Sequence, residues 1–154
     1  SRVWIYVSNK MLSDEQQVII DNELKEFTQQ WKRHGEDLRA SYQIRYNYFI
    51  LLAVDEHYND ISGCSIDASV NLIKGFEKRF NIDLTNKLNI PFRIGDDINV
   101  VSYASFQNFV KQEKISPETI VFNNMITRKE DYDLNWEVPA IESWHKRFFD
   151  LSKI

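Results

Sequence analysis

The residues best suited to chemistry in this chain crowd into Ser62-Gly63-Cys64-Ser65-Ile66-Asp67-Ala68-Ser69, which brings together a glycine, the only thiol, several hydroxyls and a carboxylate. The run stands where a polar loop gives way to apolar residues at helical spacing, and a helix start presents free amides and partial positive charge. Such a junction can hold a small anion or lower the pKa of Cys64 toward thiolate, making it a nucleophile or a redox sensor. Cys64 is then the candidate nucleophile and His57, in the preceding loop, its candidate base. Gly63, Ser65 and the amides near Ile66 and Asp67 are the candidate ligand contacts. His34 and His145 are further bases that folding could deliver. The competing account makes Ser65 or Asp67 an ordinary N-cap, Gly63 a turn residue and Cys64 a small buried hydrophobe.

Other chemistries find less to work with. Three scattered histidines and one cysteine offer no metal-ligand spacing, so no metal is expected. Gly35, Gly63, Gly75 and Gly95 are isolated, so neither a phosphate-binding loop nor a dinucleotide fingerprint can be drawn, and no cofactor is expected. Asp55-Glu56 and Asp96-Asp97 flank expected turns, where solvated acids are ordinary. Trp136, Trp144 and His145, close to Pro139, could line a docking surface for a partner protein or close a small lobe over its own core.

The elements that must position these residues follow from patterning. Val3-Trp4-Ile5-Tyr6-Val7 is a strand by its β-branched and aromatic content. Ser13 with Gln16 forms a capping box, and Ile20, Leu24, Phe27 and Trp31 continue a helix to about His34. Ser41 to Tyr46 alternates as a strand with one wet face, while Phe49-Ile50-Leu51-Leu52-Ala53-Val54 reads as a central strand, with Asn47 in the turn between them. Ile66, Val70, Ile73, Phe76 and Phe80 set out a second helix, and Ile90 to Ile94 a fourth strand. The order βαββαβ predicts an α+β protein whose N-terminal part, 1–89, is ferredoxin-like.

The remainder, 90–154, reads as a small α+β lobe packed on the first. Gly95-Asp96-Asp97 is a hairpin-like turn into a strand at Ile98 to Val101, a helix starts at Ser102, and Thr119 to Phe122 is a short strand. A polar loop is expected from Asn123 to Asn135. Pro139 then opens a terminal amphipathic helix carrying Ile141, Trp144, Phe148 and Leu151.

With 154 residues, 43% hydrophobic and 27% charged, the chain can bury a core without disulfides, and its single cysteine cannot form one internally. It offers no signal-peptide pattern and no run long enough to span a bilayer, so the expected location is cytoplasmic, away from membranes. A net charge of -4 disfavours nonspecific binding to nucleic acid. Ile5-Tyr6-Val7-Ser8-Asn9 resembles the shorter aromatic motif of RNA-recognition domains, yet Arg45-Tyr46-Asn47-Tyr48-Phe49-Ile50 has Asn47 where a stacking ring belongs.

Several segments together resemble a small bacterial family often labelled "ABC transporter ATPase". They are Arg2-Val3-Trp4-Ile5-Tyr6, Trp31 with His34-Gly35, Val54-Asp55-Glu56, Ser62 to Asp67, Val121-Phe122-Asn123-Asn124, Trp136-Glu137-Val138-Pro139 and Ser143-Trp144-His145. The chain has neither the nucleotide loop nor the signature motif that the label requires, so the resemblance implies no ATPase activity. Ser102 to Phe122 is similar to Gly-Tyr-Phe-type adaptor domains, with Val100-Val101 where those domains carry Gly-Pro. Taken together, these readings predict a cytoplasmic binding or regulatory protein, with an unknown protein or a small anionic ligand as its partner. A Cys64-centred enzyme or redox site and a single-stranded RNA-binding module are the alternatives.

Overall fold

The computed structural model describes residues 1–34, 39–55 and 63–152. Within it the first helix, α1 (Asp14–His34), begins as its capping box requires: the Ser13 amide donates to Gln16 Oε1 at 2.9 Å and the Gln16 amide to Ser13 Oγ at 3.1 Å. The strands β1 (Arg2–Val7), β2 (Arg39–Arg45) and β3 (Phe49–Asp55) form an antiparallel sheet in the order β1-β3-β2. The most apolar strand is in the middle, as its unbroken pattern implied, and Phe49, Ile50, Leu51, Leu52 and Val54 are all buried. Between β2 and β3 the Tyr48 amide closes on the Arg45 carbonyl at 3.1 Å, with Tyr46 (φ 56) and Asn47 (φ 66) both left-handed. That backbone suits the twist of a hairpin. It also places Tyr46 and Asn47 in a turn and not along a strand.

Helix α2 (Gly63–Phe80) joins α1 on one face of this sheet. Ile20 and Leu24 from α1, Ile73 and Phe76 from α2 and Ile50 and Leu52 from β3 meet in a core of fully buried side chains.

The ferredoxin-like expectation fails at its last strand. In that fold a fourth strand would pair with the outer side of β1. Here β4 (Asn89–Ile94) belongs to another sheet and β1 is an edge strand. The reason is local. Gly95 takes φ 61 at the first position of a two-residue turn, so β4 folds back on β5 (Asp97–Ser102), with Ile94 opposite Asp97. The hairpin claims one side of β4 with almost no loop-closure cost, and β6 (Ile120–Phe122) takes the other, Phe92 opposite Val121. The outer edge of β1 is met instead by a short segment: the Val3 amide donates to the Thr127 carbonyl at 2.9 Å, and Arg2 and Arg128 form a bridge.

The chain divides into two compact units, Ser1–Thr85 with Thr127–Lys129, and Asn86–Ile126 with Glu130–Ile154. The second carries the antiparallel sheet β5-β4-β6-β7, whose last strand is β7 (Glu137–Pro139). Helix α3 (Tyr103–Lys111) starts where expected, with Ser102 Oγ accepting from the Ser105 amide at 3.1 Å. Two expectations change. The stretch from Asn123 to Asn135 is not all loop, since Lys129–Asn135 forms α4. Pro139 ends a strand rather than opening a helix; a 3-10 turn at Ala140–Glu142 and an extended Ser143 intervene before α5 (Lys146–Ser152). Among the described residues no helix is long and apolar enough to cross a membrane.

Candidate functional site

The hydrogen-bond phase of the first sheet determines which main-chain groups look outward. The Val3 amide points away from β3, toward Thr127, whereas the Ser8 amide reaches inward to the Tyr48 carbonyl at 2.8 Å. Alternation then turns the even residues of β1 toward β3, and the even residues of β3 toward β1. The odd residues of β3 pair with Arg39, Ser41, Gln43 and Arg45, and the amides and carbonyls of Ala40, Tyr42 and Ile44 are left on the outer edge of β2. Among the described residues no strand pairs with that edge.

Alongside it runs an open groove of about 690 Å³, lined by Gln17, Val18 and Asp21 of α1 and by Tyr42, Gln43, Ile44 and Arg45 of β2. Two ties hold its walls in place. At the hairpin end the Leu12 amide donates to the Asn47 carbonyl at 2.8 Å, and Gln17 Nε2 donates to Asn47 Oδ1 at 3.0 Å. Further along, the Tyr42 hydroxyl donates to Asp21 Oδ1 at 2.8 Å. Burial, and then the hydrogen bond and charge of Asp21, raise the Tyr42 phenol above its ordinary pKa. Val18 lies between these ties, 60% exposed.

None of these residues was singled out from sequence, although a signal existed. In Val18-Ile19-Ile20 the buried face of α1 takes Ile20, and a residue two positions earlier lies about 200° around the helix. Val18 is therefore a large apolar side chain on the wrong face.

The Cys64 junction is differently built from its sequence reading. Helix α2 begins at Gly63, so Ser65 and Asp67 are inside the helix and neither is its N-cap. Ile66 and Asp67 are the fourth and fifth residues of α2, one turn beyond its start. The Ser65 carbonyl accepts from Trp31 Nε1 at 3.2 Å, and Ser69 Oγ donates to the Ile66 carbonyl at 2.6 Å. The backbone of Gly63 and Cys64 opens α2, while the Cys64 side chain and His57 lie outside the described residues. His145 belongs to the other compact unit.

Trp31 thus braces the start of α2 as well as filling a core with Phe27, Trp4, Ala40 and Val54. Trp31→Phe, which keeps an aromatic ring but loses the indole donor, is expected to lower the stability of this unit by about 1 kcal/mol in urea melts.

The C-terminal aromatics look inward. Trp136 is 3% exposed, packed on Phe122 and Tyr132, with its Nε1 donating to Asn124 Oδ1 at 2.9 Å. His145 is fully buried against Trp144 and Phe106, and its Nδ1 lies 2.8 Å from Ser143 Oγ. Trp144 is half-buried and packs on the core of its own unit. Trp136 and His145 are thus core residues of that lobe, and Trp144 keeps part of its ring exposed. Among the described residues no three His, Cys, Asp or Glu side chains gather around a metal position. The chain matches no family model, no curated protein and no solved structure.

Proposed function

We propose that this chain is a cytoplasmic binding protein that takes up an extended peptide as an added strand on the outer edge of β2, in the groove walled by α1. One observation carries the reading: Tyr42 and Ile44 turn main-chain donors and acceptors that no strand among the described residues meets toward an open groove, from a strand that is regular along its whole length. Edge strands are normally blunted by proline, bulges or charge. β2 has no proline, and its stretch Ser41-Tyr42-Gln43-Ile44 is uncharged between two arginines. Added strands gain affinity from main-chain bonds and specificity from alternate side chains, and here Val18 and Ile44 supply apolar wall on the helix side.

The test is panning of random peptides displayed on phage, followed by residue-resolved amide exchange. In the free protein the Tyr42 and Ile44 amides should exchange fast and those of Ser41 and Gln43 slowly. A bound peptide should slow Tyr42 and Ile44 selectively, and Val18→Glu should weaken binding at least about tenfold, the effect of burying a charge against an apolar contact, without moving the melting temperature. Peptides that protect amides elsewhere, or no enrichment at all, would remove the reading.

A further inference from the structure

Resting on that reading, we infer that the occupant is an extended segment of a partner protein with the alternation acid-apolar-x-apolar-x-apolar-acid, and not a second copy of this chain. The alternation of β2 sets the pattern. Ala40, Tyr42 and Ile44 pack on the helix side of the sheet, which puts Arg39, Ser41, Gln43 and Arg45 on the other side. Residues directly opposite in an antiparallel pair share a face. In a strand centred on Tyr42, the central residue and those two away on either side face α1, where Val18 and Ile44 offer apolar surface. Asp21 on that wall disfavours an acid among them. Residues three away on either side stand opposite Arg39 and Arg45, where an acid is favoured and a base is repelled. Arg39 also faces Asp55 across the sheet, and Arg45 donates to the Tyr46 hydroxyl at 3.0 Å, so at each end the acid joins a cation that already has a neighbour.

The same geometry tells against self-association. Two copies of β2 paired antiparallel about Tyr42, the register with full overlap, set each Arg39 against the other copy's Arg45. Sliding by two residues separates the arginines only by shortening the ladder. A segment with acids at both ends has neither defect.

The probes are three capped peptides: Glu-Val-Thr-Val-Thr-Val-Glu, the same peptide with Lys at both ends, and the phase-shifted Glu-Thr-Val-Thr-Val-Thr-Glu. Titration by fluorescence anisotropy on the full chain should give the first peptide about tenfold tighter binding than the Lys-ended one at low salt, a gap that narrows as salt is raised. The phase-shifted peptide should bind more weakly than the first. Arg45→Glu should reverse the preference between Glu and Lys ends. Equal binding of Glu- and Lys-ended peptides, with the Tyr42 and Ile44 amides protected by both, would overturn the acidic-end inference and leave the strand-docking reading standing. Concentration-dependent dimerisation that protects those two amides would overturn it in favour of a second copy. Binding of none of the peptides, in a protein whose Tyr42 and Ile44 amides are protected by no panned peptide either, would remove both.

Discussion

Phe106→Ala is expected to cost roughly 3–5 kcal/mol, enough to remove much of the stability available to a domain of ordinary size. Phe106 is fully buried where α3 meets the sheet and α5: its ring contacts Phe92 edge-on at 5.7 Å, Phe148 at 4.8 Å and His145 at 5.6 Å. Truncation leaves a cavity lined by rigid rings, which collapse poorly into the space. Denaturant melts followed by near-ultraviolet dichroism should show the second unit unfolding early, while helix signal from α1 and α2 persists. Phe106→Leu, which refills most of the volume, should cost far less. A loss below about 1 kcal/mol for the alanine variant would mean that the core of this unit is centred elsewhere.

Acid should destabilise the protein through His145. Burial, reinforced by the positive charge of Arg147, pushes its imidazole down to about 3, against 6.5 when exposed. The folded form therefore resists a proton that the unfolded chain accepts. Stability from this group is complete above about pH 6.5 and falls as pH drops toward 3, at up to about 1.4 kcal/mol per pH unit. Nε2 has no partner among the described residues, so no hydrogen bond is waiting to stabilise the charged ring. His145→Gln should flatten the pH dependence of the urea midpoint between pH 4 and 6.5 even if it lowers the midpoint at pH 7. An unchanged slope would show that other groups, not His145, set the acid limb.

Much of the local structure was legible before any coordinates. The Ser13-Gln16 box, the helix start at Ser102, the turn at Asn47 and the hairpin turn at Gly95 are each settled by residues a few positions apart, and each is found where patterning places it. The burial of β3 was equally readable, because a strand with no polar face has only the middle of a sheet to occupy. The C-terminal segment misled for a physical reason as well. Pro139 suits both the first turn of a helix and the end of an edge strand, and the neighbour that decides between them, Ile120 on β6, is far away in sequence.

The candidate site was the least legible part. Short-range chemistry pointed to the Cys64 junction, where α2 begins at Gly63, ahead of both Ser65 and Asp67, while the Cys64 side chain and His57 lie outside the described residues. The groove at β2 could not be read from composition at all, since Gln17, Val18 and Asp21 are unremarkable on a helix, as are Tyr42 and Ile44 on a strand. What makes them a surface is which edge of β2 goes unpaired. That follows from β3 taking the other edge of β2 in the order β1-β3-β2, and from the hydrogen-bond phase carried from β1 through β3. Turns, caps and apolar periods are short-range and fully encoded in neighbouring residues. Strand partnership is a competition among distant edges, and its outcome is decided when the chain closes on itself.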